Sequence, residues 1–222
     1  MNENLFNRLA VAYKSKYQNC LDSEVANFIA LLKYSDLLNK TLRFHQLGFM
    51  YSKIHKFQNN DTLRVHIWSK ETYMQKPLMD IHNHYYNVNS YVYQGCIVNK
   101  LYGMSDLDSD SDATHSIYSG SYQSNDKRVL TRTDSKKKLW VEKEIKICQG
   151  SLYEISKSDI HSGSTCSDAF TLTVVYTENE GNPNPLVFGP LNGKTQYHYE
   201  SKKVSNDIIE KLKNKITMPN SI

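Results

Sequence analysis

Apolar residues recur at helical spacing near the start of the chain and at alternate positions further on. Val25, Phe28, Ile29 and Leu32 fall on one face of a helix that Asp22 or Ser23 can cap. An earlier helix is expected over residues 5–17. From residue 62 the period drops to two. In Thr62-Leu63-Arg64-Val65-His66-Ile67-Trp68, the residues Leu63, Val65 and Ile67 share one face, and Arg64, His66 and Trp68 share the other. Further strands are expected over 80–84, 90–94, 96–102, 129–133, 139–147, 151–155 and 170–177, with Gly95, Gly150 and Gly181 as punctuation. Ser135-Lys136-Lys137-Lys138 reads as an exposed hairpin tip. The acidic run from Ser105 to Asp112 reads as a surface loop, and 181–185, with Pro183 and Pro185, as a rigid turn. Near the end, Ile208, Ile209, Leu212 and Ile216 form the apolar stripe of a short helix.

The pattern implies one mostly β domain over 1–222. It has a helical N-terminal extension (1–60), a barrel-sized strand region (62–178) and a C-terminal extension (179–222). Sixteen tyrosines suit such a strand-rich chain, since tyrosine favours half-wet pleated surfaces. The net charge of +4 gathers in a C-terminal lysine cluster without a nucleic-acid recognition motif, so no nucleic-acid partner is expected. No apolar run approaches the roughly 20 residues of a membrane helix, and the first residues do not resemble a signal peptide. The four cysteines form no CxxC pair, which points to a reducing, cytoplasmic setting. Cys96 and Cys148 stand at strand ends, and their pairing is left open.

The chemistry centres on Ile81-His82-Asn83-His84. Residues two apart on a strand point the same way, so both imidazoles converge as two ligands of one ion must. Imidazole suits Zn, Fe, Ni and Cu. By itself HxH is equally consistent with two polar residues on a wet strand face. Gly95 follows His84 by eleven residues, and His161 follows Gly150 by eleven.

These two stretches, 82–95 and 150–161, resemble the two-part signature of the cupin superfamily across residues 62–178. In that signature HxH and a glutamate precede a glycine, and a later glycine precedes a third histidine. The resemblance implies a cupin jelly-roll barrel, with the N-terminal helices and the short C-terminal helix packed outside. Where the family's glutamate ligand would fall, Val88 and Asn89 stand instead. Ser156 and Ser158 replace the second motif's proline and glycine. What is implied is a three-histidine site, His82, His84 and His161, holding one divalent transition metal with open positions.

Three histidines without the glutamate are similar to the thiol dioxygenases among the cupins, of which cysteine dioxygenase is one. That likeness favours Fe(II), with Zn, Ni or Cu as alternatives. It offers Tyr176 as the catalytic tyrosine and Arg64 as the group that pairs a substrate carboxylate. The family's serine and histidine before that tyrosine are replaced by Leu172 and Val174. His66, which shares the face of Arg64, Asn89 at the vacated ligand position, and Tyr91 complete the expected substrate-binding set. The function expected is that of a metal-dependent oxidoreductase, a dioxygenase acting on a small amino acid, thiol or carboxylic acid, in a monomer or homodimer. The alternatives are a Zn or Ni isomerase or biosynthetic rearrangement enzyme on the same scaffold, and a non-catalytic cupin that binds a small ligand.

Overall fold

The computed structural model describes residues 2–70, 79–106, 110–122, 127–166, 169–178, 181 and 185–218. Strands take up 49% of the residues and helices 25%, as two antiparallel sheets and four helices. Three helices come first: α1 (Asn2–Ser15), α2 (Gln18–Tyr34) and α3 (Leu37–Thr41). The strands β1 (Arg43–Phe44), β2 (Met50–Lys56), β3 (Thr62–Trp68), β4 (Ile81–His82), β5 (Asn87–Gln94) and β6 (Cys96–Ser105) follow. After them come β7 (His115–Tyr122), β8 (Lys127–Cys148), β9 (Leu152–Ile155), β10 (Ile160–Thr165), β11 (Thr171–Glu178), β12 (Leu186–Pro190) and β13 (Gln196–Glu200). Helix α4 (Asn206–Lys215) ends the described chain, with Asp207 in its first turn and Lys213 and Lys215 in its last, the order its dipole favours.

One sheet runs β1-β2-β3-β11-β5-β9, the other β13-β8-β6-β10-β4-β12-β7. The alternation read in β3 decides how the first sheet sits. Leu63, Val65 and Ile67 are fully buried and join Leu21, Val25, Phe28 and Leu32 of α2 in the main core, under the helices. Truncating one of the leucines or Ile67 to alanine would cost about 2–5 kcal/mol. Arg64, His66 and Trp68 face the other way, towards the second sheet. Among the described residues, no helix is long and apolar enough to cross a membrane.

Several expectations change. The residues read as a hairpin tip, Ser135 to Lys138, lie inside the continuous 22-residue strand β8. No turn is needed there, because β8 changes partner instead: up to Lys137 it pairs with β7, and from Lys138 with β6. The stretch 1–60 is not wholly helical, since β1 and β2 within it join the first sheet. The C-terminal stretch supplies β12, which pairs with β4 at His82 and so belongs to the sheet that carries the site. The centre of the acidic loop, 107–109, and the turn at 182–184 lie outside the described residues. Both motif glycines serve turns: Gly95 (φ +82°) and Gly150 (φ +83°) are left-handed, a conformation that side chains with a Cβ resist.

Candidate metal centre

His82 and His161 are directly opposed on the paired strands β4 and β10. His84 lies just past the end of β4. Between them Asn83 ties the chain to β12: its N–H donates to Leu186 O at 3.0 Å, and its Oδ1 accepts from Leu186 N at 2.6 Å. The three rings therefore meet, with centroids 4.7 Å (His82–His84), 4.8 Å (His82–His161) and 4.9 Å (His84–His161) apart. One ring nitrogen from each lies within 4.8 Å of the others.

The outer hydrogen bonds decide which nitrogens face inward. His82 Nδ1 lies 2.8 Å from the backbone carbonyl of Asp80. A carbonyl only accepts, so Nδ1 carries the proton and Nε2 is left bare. His161 Nδ1 donates to Asn99 Oδ1 at 2.9 Å, which bares its Nε2 in the same way. His84 Nε2 is 2.8 Å from His161 Nε2. Two nitrogens bound at right angles about 2.1 Å from an ion would lie about 3.0 Å apart, so this pair is already close to a ligating separation. Burial, ahead of the mutual repulsion of the rings, holds His84 and His161 well below the ordinary histidine value, and burial lowers His82 too. Neutral imidazole is the form that ligates. The donor set fits a divalent transition metal.

The rings border a cavity of about 200 Å³ between the two sheets. Tyr86 stacks on His84 at 5.4 Å. The Arg64 guanidinium lies 4.4 Å over the Tyr86 ring and donates to its hydroxyl through Nη1. Its Nε donates to Thr62 Oγ1 at 2.7 Å. No carboxylate among the described residues forms an ion pair with Arg64. Beside it, burial and the charge of Arg64 push His66 down to about 3.

Of the residues singled out from sequence, His82, His84, His161, Arg64 and His66 come together around this cavity. Tyr176, Tyr91 and Asn89 do not. Tyr176 is 1% exposed on the helix side of β11, where it stacks on Tyr13 at 5.5 Å and donates to Asp61 Oδ2. Its strand neighbours Val175 and Thr177 take the cavity side. Tyr91 lies in the main core and donates to Asp22 Oδ1 at 2.7 Å. Asn89 pairs with Tyr176 across the sheet and so shares its face. The catalytic place given to Tyr176, and the substrate-binding places given to Tyr91 and Asn89, are thereby lost from the cavity. Sequence reasoning missed Tyr86, Asn99 and Phe49. Asn99 had a signal: it is a polar residue two positions after Ile97, on the same inward face of β6.

No family model and no curated protein matches the chain. Among solved structures it is similar to Drosophila melanogaster CENP-C bound to CAL1, at 8% identity over 70% of this chain and 97% of that one, TM-score 0.36. It is also similar to CapF with the inhibitor 3-isopropenyl-tropolone, at 13% identity over 72% of this chain and 33% of that one, TM-score 0.35. Scores of this size assign neither a fold family nor a function.

Proposed function

We propose that the protein is a mononuclear metal-dependent enzyme of the cupin type, with His82, His84 and His161 as ligands, acting as an oxygenase on a small anionic substrate. The observation that carries this is the convergence of three neutral imidazoles on the wall of one cavity. A three-histidine group between two antiparallel sheets is compatible with a cupin. Fe(II) is the favoured ion; when bound, such an ion supplies Lewis acidity and redox chemistry at positions the protein leaves open.

The chain's own residues do the rest. Asn99 and the Asp80 carbonyl fix the tautomers of two ligands. Arg64 presents its remaining N–H donors to a substrate carboxylate, and Tyr86 holds the guanidinium beside His84. The apolar walls limit water around these charges, which strengthens each interaction. A Zn- or Ni-dependent isomerase or rearrangement enzyme is the second reading. The position of Tyr176 favours it, because the tyrosine expected of a thiol dioxygenase lies outside the cavity.

Elemental analysis of protein purified without chelator tests the site. About one transition metal per chain is expected, with most of it lost in each of His82→Ala, His84→Ala and His161→Ala. Full occupancy in all three variants would end the proposal. Oxygen uptake by Fe(II)-loaded protein across thiols, amino acids and small carboxylates tests the reaction. Tightly bound zinc with no uptake would transfer the assignment to the second reading.

A further inference from the structure

The walls of the cavity differ in kind. Of the described residues that line it, none is acidic, while Arg64, Arg128 and five histidines do. A chamber with cationic groups and no lining carboxylate favours a negatively charged occupant. Opposite the three-histidine group the wall is made of rings. Phe49 sits at its centre, with centroids 4.5 Å from His45, 4.8 Å from His66 and 4.8 Å from Trp68. Tyr51 meets His45 edge-on at 5.1 Å. These rings border open space, whereas the aliphatic residues of the same strand, Leu63, Val65 and Ile67, are spent on the core beneath the helices.

Size and spacing narrow the occupant further. A volume of about 200 Å³ holds roughly six or seven waters. That is room enough for a single-ring acid. Arg64 and His66 are alternate residues of β3, with Cα atoms about 6.6 Å apart, and the Phe49 ring lies 4.8 Å from that of His66, so the guanidinium and the aromatic wall stand side by side on one face. Offset or edge-on contact between aromatic rings is worth more than the area it buries, so a wall of several rings favours an aromatic ring over a saturated one of the same size.

We propose that the cavity takes a planar aromatic carboxylate, its ring against His66 and Phe49 and its carboxylate on Arg64. This deepens the reading of the cavity as a substrate chamber beside the three histidines, and rests on it. The position on Arg64 brings the acid group beside Tyr86, which itself stacks on His84. The carboxylate end of the molecule is thereby held beside the three histidines and the ring end at the aromatic wall.

Isothermal titration calorimetry on the full chain tests this, with chelated and with Zn(II)-loaded protein. The probes are benzoate, its saturated counterpart cyclohexanecarboxylate, and its uncharged counterpart benzamide. Benzoate should bind about tenfold more tightly than either counterpart. Arg64→Met should abolish the preference over benzamide and keep the preference over the saturated acid. Phe49→Leu should do the reverse, and circular dichroism establishes that both variants fold. Equal binding of benzoate and cyclohexanecarboxylate, equal binding of benzoate and benzamide, or no saturable binding by the wild-type chain would each overturn the proposal. Metal content is measured on the same samples. Metal bound without an aromatic preference sinks this inference alone, and an aromatic preference without metal sinks the metalloenzyme reading alone.

Discussion

His161 and Asn99 form a diagonal pair across β10 and β6, the imidazole Nδ1 donating to the amide oxygen at 2.9 Å. Both side chains are buried. The bond orients the ring and selects the tautomer whose Nε2 is bare, and loss of such a partner from a ligating histidine typically lowers metal affinity 10–100-fold. Asn99→Ala should therefore weaken metal binding by about that factor while His161 remains. Asn99→Asp, which keeps an acceptor, should restore most of it. Competition against a chromophoric chelator measures both. Equal affinities in the wild type and Asn99→Ala would show that the amide does not position the ligand.

Acid should weaken the fold in a defined window. Burial holds His45, His66, His82, His84 and His161 below the usual histidine value, His66 at about 3. Above pH ~6.5 folded and unfolded histidines are both neutral, and nothing changes. Below it the unfolded chain takes up protons that the folded chain refuses. Stability then falls with pH, by at most about 1.4 kcal/mol per pH unit for each such group, and for His66 the loss continues towards pH 3. The urea midpoint of metal-free protein should drop between pH 7 and pH 5. A constant midpoint over that range would contradict the buried, neutral assignment.

Removing the Tyr176 hydroxyl should affect stability and leave the site alone. Its partner Asp61 is buried and is held as well by Lys14 at 3.2 Å and Asn59 at 2.6 Å. Tyr176→Phe leaves that carboxylate short of one donor, a cost of about 1.5–3 kcal/mol for a hydrogen bond to a charged group. The melting temperature should fall with metal content unchanged. Loss of metal or of turnover at full stability would return Tyr176 to the site.

The contrast between Arg64 and Tyr176 shows what sequence could and could not reveal. On β3 the apolar and polar residues alternate, because one face meets the helices and the other a part-polar cavity. That made it legible that Arg64 and His66 share a face, while the alternation left open which way that face points. The central strand β11 is buried on both faces over seven residues, and β5 over Val88 to Val92. A strand covered on both sides loses its period-two signal. The faces of Tyr176, Asn89 and Tyr91 could not be told from such runs. The grouping of the three histidines was legible because HxH and the glycine spacing are local features. Asn99 and Tyr86 reach the site through cross-strand register and ring stacking, which no short motif encodes. The continuous β8 escaped for a related reason: a lysine run suits an exposed strand as well as a turn, and only its partners decide.

Cys96 and Cys148 are placed for oxidation to a cross-strand disulfide. They are directly opposed on β6 and β8, and both are free thiols. The flanking bond from Gln149 N to Gly95 O, 3.0 Å, makes theirs a non-hydrogen-bonded pair. In such pairs the Cα atoms approach to about 4.5 Å, inside the range a disulfide spans. Cys148 is exposed, and a hydrogen bond with Cys96 raises its pKa, so the reactive thiolate grows in above neutral pH. Oxidised glutathione should convert the pair: the two thiols give up two electrons and two protons, one S–S bond forms, and the reagent leaves as two glutathione thiols. Peptide mapping should find the link between Cys96 and Cys148, formed faster at pH 9 than at pH 7. The cross-link closes a loop of some 50 residues and should stabilise the fold by about 2–4 kcal/mol, seen as a higher melting temperature that dithiothreitol reverses. Cys148→Ser should remove both effects. Mixed glutathione adducts on each cysteine, with no link between them, would show that the strand ends do not bring the sulfurs into bonding geometry.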